Sequence, residues 1–529
     1  MAKILSALFA SILAALLLVG CQNISIKDQP TNSSAPSIAL EAGRILAQTT
    51  PKPNPAQPAI AANTASVAAP NASPAPIATA VYGPIYAEAR TADWRHVGID
   101  PARYVADRLH TKAFLTPLLN GAKTRVVLHR QAIKISQVPG IHPSHTRNVS
   151  HPDAKDYPGR VYWSPDDRAF HIVAIAGEDW FRQTLHMLAT AGVPIEKITV
   201  EGMFAPAALV AADLDPTLAA HAFDSVTVGP MGELVQAIER VLRQRERPAY
   251  AQQMLARMAA LLEERMRQAP PDKKPSWATR LQRLQALCSP QSPALEQITR
   301  IKADTLLSGP LANLIHAAEE GPPRQQLPWS FSTRNADVLA HRVVTVDGKK
   351  HLLIHIGGAH GDMAYHAIRH VLAKQPTLGR VNVYGSAGSF STAIPPDTFI
   401  IPTGTFRSLE EDRGTVLVSN QAALDGAIAV RHANVSTLLR EHRAGLQRLV
   451  ALPADSVDIE SYHVARAVSE AGRPVDFRAI LRVSDVATSP ELGAHRVSRA
   501  RTSHYDVRRD GEERVVYSLG LLAAPLTTQ

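Results

Sequence analysis

Short apolar runs alternate with amphipathic helical patterns over much of this chain. The stretch GRVYWSPDDRAFHIVAIAG at 159–177 predicts two strands joined by a turn. EDWFRQTLHMLATAG then predicts a helix, and KITVEG and DSVTVGP each predict a strand. Strands that alternate with helices are typical of parallel sheets, so we predict an α/β fold with a mostly parallel or mixed sheet flanked by helices.

The same order of elements recurs about 180 residues later. HRVVTVDGKKHLLIHIGG predicts a second hairpin, DMAYHAIRHVLAKQ a helix and GRVNVYG a strand. We interpret this as a diverged internal duplication, and two unrelated α/β domains with the same order are the alternative. The corresponding residues are Arg160 and Arg342, His171 and His351, Gly177 and Gly357, Gly202 and Gly385, and Asp224 and Asp397.

Between the two copies, residues 246–333 predict a helical insert. Leu255, Met258, Leu262 and Met266 recur at three- or four-residue spacing, which gives one apolar helix face. The simpler interpretation is a stripe that faces a core, and a helix that binds a partner protein is the alternative. The first copy is assigned to residues 91–245, as an α/β domain that is a degenerate copy of the second.

The N-terminus predicts export. Residues 1–21 combine Lys3, a long apolar run and the end Leu-Val-Gly-Cys, which resembles the lipobox of bacterial lipoproteins. By that resemblance Cys21 is lipidated, and the protein is anchored in the bacterial cell envelope, at the outer membrane facing the periplasm. An uncleaved anchor helix is the alternative. Residues 22–90 are rich in Ala, Pro and Ser, which predicts a disordered tether.

The charge of the chain changes this picture little. Among 529 residues the formal net charge is +9 and the pI is about 9.5, but the arginines are spread over many predicted helices. We therefore expect no specific nucleic-acid binding. Once Cys21 is lipidated, Cys288 is the one remaining thiol, so no intrachain disulfide is expected.

Two acids in the second copy follow apolar runs. Glu460 stands in DIES and Asp485 in RVSD, and upstream IHIGGAHGD and VNVYGSAGSF bring glycines to predicted strand ends. Such glycines let backbone amides approach a ligand, although tight turns need them too. Taken alone, Glu460 also fits a first-turn helix acid, and Asp485 fits a helix N-cap or turn.

Five motifs in this order resemble the nucleoside phosphorylase and nucleosidase superfamily, which includes purine nucleoside phosphorylases and methylthioadenosine nucleosidases. The motifs are IGGAHGD, YGSAGS, DTFII, DIES and RVSD, over roughly residues 340–490. On this resemblance we assign 334–529 as a nucleoside phosphorylase-like domain. The expected ligand is a purine nucleoside or nucleobase.

The resemblance implies a role for each matching residue. Glu460 would accept hydrogen bonds from the ribose hydroxyls, and Asp485 would be the general acid that protonates purine N7. Ile459 would pack under the sugar. Ser386 and the Gly388 backbone would line the side of the nucleophile. The full set of expected substrate-binding residues is Glu460, Ile459, Ser386, Ala387, Gly388, Gly358 and Ser484.

The predicted activity is cleavage of the N-glycosidic bond, by water or by phosphate as co-substrate, with no other cofactor. Phosphorylases of this superfamily often carry an arginine where this chain has Val383, which favours hydrolysis. Glu233 is a candidate for the glutamate with which nucleosidases orient water. A catalytically dead domain that binds a ligand or protein is the alternative, and a homo-oligomer is expected from the resemblance.

Some stretches carry other expectations. HANVSTLLREHRAGLQRL at 432–449 predicts a helix, and the region after Asp485 predicts a basic stretch with a terminal hairpin. Histidines suggest a rival metal site, but without a recognised ligand pattern we predict no bound metal. The candidate ligands are Asp362, His360, His366 and His370, with His142, His145 and His151 as a second group.

Overall fold

The computed structural model describes residues 75–76, 79–130, 134–152, 159–173, 177–304, 309–335, 338–356, 361–410, 413–493 and 505–523. The strands are β1 (Ala75–Pro76), β2 (Arg125–His129), β3 (Arg147–Asn148), β4 (Arg160–Ser164), β5 (Ala169–Val173), β6 (Ile198–Glu201), β7 (Ser225–Val228), β8 (Trp329–Arg334), β9 (Leu339–Val346), β10 (Lys349–Ile356), β11 (Arg380–Ser389), β12 (Phe399–Ser408), β13 (Thr415–Leu417), β14 (Ile428–Asn434), β15 (Ser456–Asp458) and β16 (Asp476–Val486).

The α-helices of these residues are α1 (Thr79–Thr91), α2 (Pro101–Ala106), α3 (Thr116–Asn120), α4 (Glu178–Thr190), α5 (Pro206–Ala220), α6 (Met231–Gln268), α7 (Lys274–Leu287), α8 (Ala294–Ala303), α9 (Pro310–Glu320), α10 (Gly361–Lys374), α11 (Arg443–Ala451), α12 (Ser461–Ser469) and α13 (Tyr505–Ser518). Together with the strands they form an α/β fold with two mixed sheets, which confirms the predicted fold class at this level.

The smaller sheet has six strands in the order β1-β6-β2-β5-β4-β3. Strand β2 is parallel to both of its neighbours, β5 and β6, while β4 and β5 form the antiparallel hairpin that the sequence predicts. All five residues of β5 are buried, as expected for a strand covered on both faces.

The larger sheet has ten strands, nine of them in the order β13-β12-β14-β15-β11-β7-β10-β9-β8. Strand β16 lies outside this path and pairs with both β11 and β12. The strands β11, β15, β14, β12 and β16 therefore close a five-stranded ring. Because each strand of the ring is paired on both sides, closure protects its backbone groups from water.

Both sheets contain the same set of strand pairings. In the larger sheet β7 is parallel to β10 and β11, and β9 and β10 form a hairpin. In the smaller sheet β2 is likewise parallel to β5 and β6, and β4 and β5 form a hairpin. The shared pairing favours the duplication. One correspondence is wrong: Asp224 precedes β7, which takes the place of β2, whereas Asp397 precedes β12. Residues 225–228 were assigned to the α/β domain at 91–245, but they lie in the larger sheet.

The helices that follow the two hairpins meet at their N-termini. Asp179 and Asp362 are the second residues of α4 and α10. Asp362 Oδ2 accepts a hydrogen bond from the Glu178 amide at 2.7 Å, and Asp179 Oδ2 accepts one from the Asp362 amide at 3.1 Å. Each carboxylate satisfies a backbone donor of the opposite helix, where the dipole favours negative charge. These reciprocal caps join the two copies.

The helical insert has a core of its own. The second half of α6 packs with α7, α8 and α9, and Leu255, Met258 and Leu262 are buried between them. The stripe therefore faces a core at these three positions, while Met266 is half-buried. The last α-helix of the insert ends at Glu320, and strand β8 occupies the end of the range predicted as helical.

Part of the range predicted as a disordered tether is helical. Residues 79–90 lie in helix α1, where Tyr86 and Ala89 are buried. The predicted signal segment, most of the predicted tether and Cys21, the predicted lipidation residue, fall outside the described residues. Within the described ranges, no helix has the length and apolar character needed to span a bilayer.

Two other local predictions are wrong. Most of the first half of 432–449 is not helical: β14 runs to Asn434, a single 3-10 turn follows, and α11 begins at Arg443. The predicted C-terminal hairpin is helix α13, whose Val515 and Val516 are buried against α6 and the larger sheet. In both cases burial against distant segments of the chain overrides the local propensity for helix or strand.

Candidate active site

A cavity of about 780 Å³ lies beside the five-stranded ring. Its wall combines the turn after β7, the ends of β10 and β11, the segment from β15 to α12, and the end of β16. Helix α2 and its neighbours in the first copy supply the remaining wall. The cavity therefore lies where both copies meet, and a ligand within it would contact both.

Most of the residues singled out from the sequence line this one cavity. Ala387, although in β11, is buried and does not line it. Gly358 lies outside the described residues. The residues on the wall are Asp485, Glu460, Ile459, Ser386, Gly388 and Ser484.

The Gly-Ser-Ala-Gly segment is strand, so the strand predicted over GRVNVYG continues further than expected. It belongs to β11, which runs parallel to β16. Ala387 pairs with Val483 and Gly388 with Asp485, so Ser484 is an extra residue in β16. A bulge of this kind redirects the side chains that follow it. The bulge helps to determine where the Asp485 carboxyl points.

Asp485 is held from within its own strand. Its side chain is largely buried, and the Ser484 hydroxyl lies 2.6 Å from Asp485 Oδ1 and 3.2 Å from the Ala387 carbonyl oxygen. A hydroxyl has one hydrogen, so it donates to one of these acceptors at a time. Because Asp485 lies inside β16, the interpretation as a helix N-cap or turn residue is wrong.

Glu460 is at the N-cap position of α12 but does not cap it. Instead, the Asp458 carboxylate accepts from the Ser461 amide, at 3.1 and 3.2 Å. Burial, followed by the charges of Asp458 and Asp179, raises the pKa of Glu460 to about 8. A solvated first-turn acid would be stabilised in its charged form by the helix dipole. Glu460 is therefore not a solvated first-turn acid, and it lines the cavity.

Ile459 and the start of α12 are fixed from two sides. Asn434 Nδ2 donates to the Ile459 carbonyl oxygen at 2.6 Å. At Gly361, an added Cβ would lie 2.1 Å from the same oxygen and 2.7 Å from His463 Cδ2. Only glycine permits helix α10 to approach so closely. The backbone before Glu460 is thus held by β14 and α10.

A buried charge network lies behind Glu460. Arg413 donates to both carboxylate oxygens of Asp179, and His463 Nε2 lies 3.0 Å from Asp179 Oδ2. Burial opposes the charged form of Asp179, but Arg413 and His463 together hold its pKa below the usual value. Burial and the Asp179 charge raise the pKa of Asp362 to about 7. This network links helix α4 of the first copy to the site helix α12.

Two further charged residues line the cavity beside the expected substrate-binding residues. Glu233 follows β7, and Arg482 precedes the bulge in β16. Arg482 is 5% exposed; its Nη1 lies 3.5 Å from Glu512 Oε1 and its Nε 3.9 Å from Asp397 Oδ1. Neither nitrogen has a hydrogen-bond partner among the described residues. Arg482 was missed in the sequence, although its place in RVSD was a usable signal.

The first copy contributes a polar wall that sequence reasoning also missed. Gln183 Nε2 donates to the Tyr104 hydroxyl at 2.7 Å, and the Arg108 guanidinium stacks 3.7 Å from the centre of the Tyr104 ring. The other wall residues of this copy are Ile99, Asp100, Arg103, Asp107 and His151. Nothing in their spacing signals a ligand, because the cavity forms only when the two copies pack.

The rival histidines are engaged elsewhere or dispersed. His370 Nε2 lies 2.8 Å from Asp215, and burial followed by His463 lowers the pKa of His366 to about 4. His145 contacts Asp166, and His360 lies outside the described residues. The part of the chain that the structure describes contains no group of three or more His, Cys, Asp or Glu residues suited to a metal ion.

Comparisons with known proteins find similarity in structure alone. No model of a known protein family matches the chain, and no curated protein sequence is significantly similar to it. One similar structure is a methylthioadenosine/S-adenosylhomocysteine nucleosidase from Colwellia psychrerythraea in complex with adenine. It is 14% identical, over 36% of this chain and 85% of its own, with a TM-score of 0.29.

Two proteins of Helicobacter pylori give similar values. Futalosine hydrolase is 9% identical over 36% of this chain and 87% of its own, with a TM-score of 0.29. The methylthioadenosine/S-adenosylhomocysteine nucleosidase, with butyl-thio-DADMe-Immucillin-A, is 12% identical over 36% and 89%, with a TM-score of 0.30. Two of these three similar structures are nucleosidases, and the third is a futalosine hydrolase.

Proposed function

We propose that this protein binds a purine nucleoside in the cavity and hydrolyses its N-glycosidic bond. The observation that carries the proposal is the cavity wall itself, where Asp485 from β16 and Glu460 from the β15–α12 junction line one space. A carboxylate can accept two hydrogen bonds from a vicinal diol, and a buried carboxyl can protonate a leaving base. A nucleoside presents both a diol and a base.

In this proposal the carboxyls of Glu460 and Asp485 have different roles. Glu460 accepts the ribose hydroxyls, and Ile459, fixed by Asn434 and the close approach of Gly361, packs under the sugar. Asp485 gives its proton to purine N7, so that the base leaves as a neutral molecule while positive charge develops on the sugar. Gly388 pairs with Asp485 across the strands and lines the same cavity.

Water is the nucleophile we propose, because Val383 stands where phosphorylases of the resembled superfamily often carry an arginine. Glu233 and Arg482 both line the cavity. Glu512, which lies 3.5 Å from Arg482, also pairs with Arg240 at 2.8 Å. Glu233 is the candidate to orient the water, as the resemblance implies, and phosphorolysis is the alternative.

The activity assay is direct. The purified chain is incubated with adenosine, inosine and methylthioadenosine, with and without phosphate, and free base is measured. We expect base release that does not require phosphate. Asp485→Asn should lower kcat by about 10²- to 10⁴-fold, the usual range for a general acid, while largely preserving affinity. Turnover like the wild type in this variant, or no release from any nucleoside, would contradict the proposal.

The proposed location is the bacterial envelope, with the N-terminal lipid on Cys21 as the membrane contact. Metabolic labelling with a radioactive fatty acid tests the anchor. Label in the wild type but not in Cys21→Ser supports it, and equal label in both contradicts it.

A further inference from the structure

The first copy supplies a part of the cavity wall that the proposed function leaves unused. Asp485 is assigned to the base and Glu460 to the ribose diol, and both belong to the second copy. The position of a nucleoside that remains free to carry an extension is C5′. Cavities that bind drug-sized ligands measure about 300–1000 Å³, so a cavity of about 780 Å³ has room for more than a bare nucleoside.

The arginines that line the cavity differ in their partners. Arg482 has a carboxylate oxygen of Glu512 at 3.5 Å, and Arg103 has one of Asp107 at 3.6 Å. Arg108 also lines the cavity, but no carboxylate oxygen of the described residues lies within 4 Å of it. Its positive charge is therefore available to a ligand.

The acids of the first-copy wall do not cancel this charge. Asp100 Oδ1 accepts a hydrogen bond from the Arg103 amide at 3.1 Å, so this carboxylate caps the N-terminus of α2. The Asp107 side chain, which pairs with Arg103, is 59% exposed. Water and salt screen an exposed charge more than one that faces a cavity.

The Arg108 guanidinium is held in place by Tyr104. Its Cζ lies 3.7 Å from the centre of the Tyr104 ring, and Nη1 donates to the Tyr104 carbonyl oxygen at 3.3 Å. The Tyr104 ring is fixed in turn, because it is 8% exposed and Gln183 donates to its hydroxyl at 2.7 Å. A guanidinium that is already positioned loses little conformational freedom when a ligand binds.

One edge of this guanidinium is unused. Nε is buried without a hydrogen-bond partner, and Nη2 forms no hydrogen bond with the described part of the chain. The N–H groups of Nε and Nη2 are parallel, which is the geometry that binds two oxygens of a phosphate or a carboxylate. A buried donor without a partner needs an explanation, and an anionic group of the ligand supplies one.

A second polar group of the same wall has an unpaired atom. Gln183 is 1% exposed and lines the cavity, and its Oε1 has no hydrogen-bond partner within the described ranges. A rotation of the amide by 180° exchanges its two ends, so that Oε1 accepts from the Tyr104 hydroxyl and Nε2 takes the unpaired place. Gln183 can therefore present a donor to an anion and still bond Tyr104.

We propose that the Arg108 guanidinium binds an anionic group on C5′ of the substrate nucleoside, and that the first copy thereby determines substrate specificity. The proposal rests on the proposed function for the placement of the base and the diol. The anion is a phosphate or a carboxylate, since both offer paired oxygens to the Nε–Nη2 edge. Arg108 takes no part in bond cleavage. The copy predicted to be degenerate is then the one that selects the substrate.

Calorimetric titration into Asp485→Asn, which should bind without turnover, measures this specificity. The ligands are adenosine, adenosine 5′-monophosphate and adenosine 5′-carboxylate, at one pH and one salt concentration. We expect at least one anionic ligand to bind about 10- to 100-fold more tightly than adenosine, as a charge-assisted pair of hydrogen bonds allows. The tighter of the two identifies the anion. Adenosine that binds as tightly as both would overturn the anion site.

Variants then assign the preference to Arg108. In the same background, Arg108→Met should remove the preference for the anion and leave the Kd of adenosine close to its original value. Arg108→Lys keeps the charge but lacks the paired edge, so it should retain only part of the preference. Arg95→Met, which removes an exposed cation outside the cavity, is the matched control and should retain all of it. A full preference in both Arg108 variants would overturn the role of Arg108.

The outcomes separate the anion site from the proposed function. If anionic nucleosides bind more tightly through Arg108 but the wild type releases no base, the proposed hydrolysis is overturned and the anion site is supported. If base is released and adenosine binds as tightly as its anionic derivatives, the hydrolysis stands and the anion site is overturned.

Discussion

The pKa of Glu460 gives a quantitative prediction for ligand binding. Burial, Asp458 and Asp179 raise this pKa to about 8, whereas the ribose diol is bound best by an ionised carboxylate that accepts both hydroxyls. Nucleoside binding should therefore compete with protonation of Glu460. Affinity should rise as pH rises toward the pKa and level off above it.

The magnitude follows from the ionised fraction. One pH unit below the pKa, about a tenth of the molecules carry an ionised Glu460, which weakens the apparent Kd about tenfold, or about 1.4 kcal/mol. Two units below, the loss is about a hundredfold, or about 2.7 kcal/mol. These are upper values, because a protonated Glu460 still offers one donor and one acceptor.

Calorimetric titration of adenosine into Asp485→Asn, which should bind without turnover, provides the measurement. Adenine, which lacks the diol, is the control ligand, and Glu460→Gln in the same background is the control protein. Both controls should lose the pH dependence. A Kd for adenosine that is constant between about pH 6 and pH 9, or one that changes equally for adenine, would refute the assignment of Glu460 to the sugar.

Two further predictions concern the framework of the site. Arg413→Met should destabilise the protein by about 3–5 kcal/mol in urea unfolding, because it leaves Asp179 as a buried charge without its main partner. The control Arg431→Met breaks the exposed pair with Asp455 and should cost less than about 1 kcal/mol; equal losses would contradict the buried pair's importance. Gly361→Ala forces a Cβ against the Ile459 carbonyl, so it should weaken nucleoside binding, whereas Gly379→Ala meets open space and should not. Normal affinity in Gly361→Ala would show that the backbone before Glu460 need not be held there.

The sequence was informative where local pattern and burial agree. The hairpins at 160–173 and 339–356 and the helices after them were predictable, because short apolar runs flank polar turns. Glu460 and Asp485 were identified from the sequence motifs around them, and both line the cavity. Their meeting depends on β15, β16 and β11 pairing in one ring.

The sequence was misleading where distant segments decide the structure. Strand β7 has an apolar pattern like any other strand, but its partners β10 and β11 follow the long helical insert. Glu233 therefore looked remote from the site. The last three residues of strand β14, 432–434, fell within a predicted helix, but they form a strand because they pair with β12 and β15.

The central claim is that Asp485 and Glu460 act on one nucleoside. The most direct measurement is the structure of the protein with a purine nucleoside analogue whose glycosidic bond cannot be cleaved. We predict the base next to the Asp485 carboxyl and the ribose hydroxyls within hydrogen-bond distance of Glu460. An analogue bound elsewhere, or one whose sugar does not contact Glu460, would contradict the account.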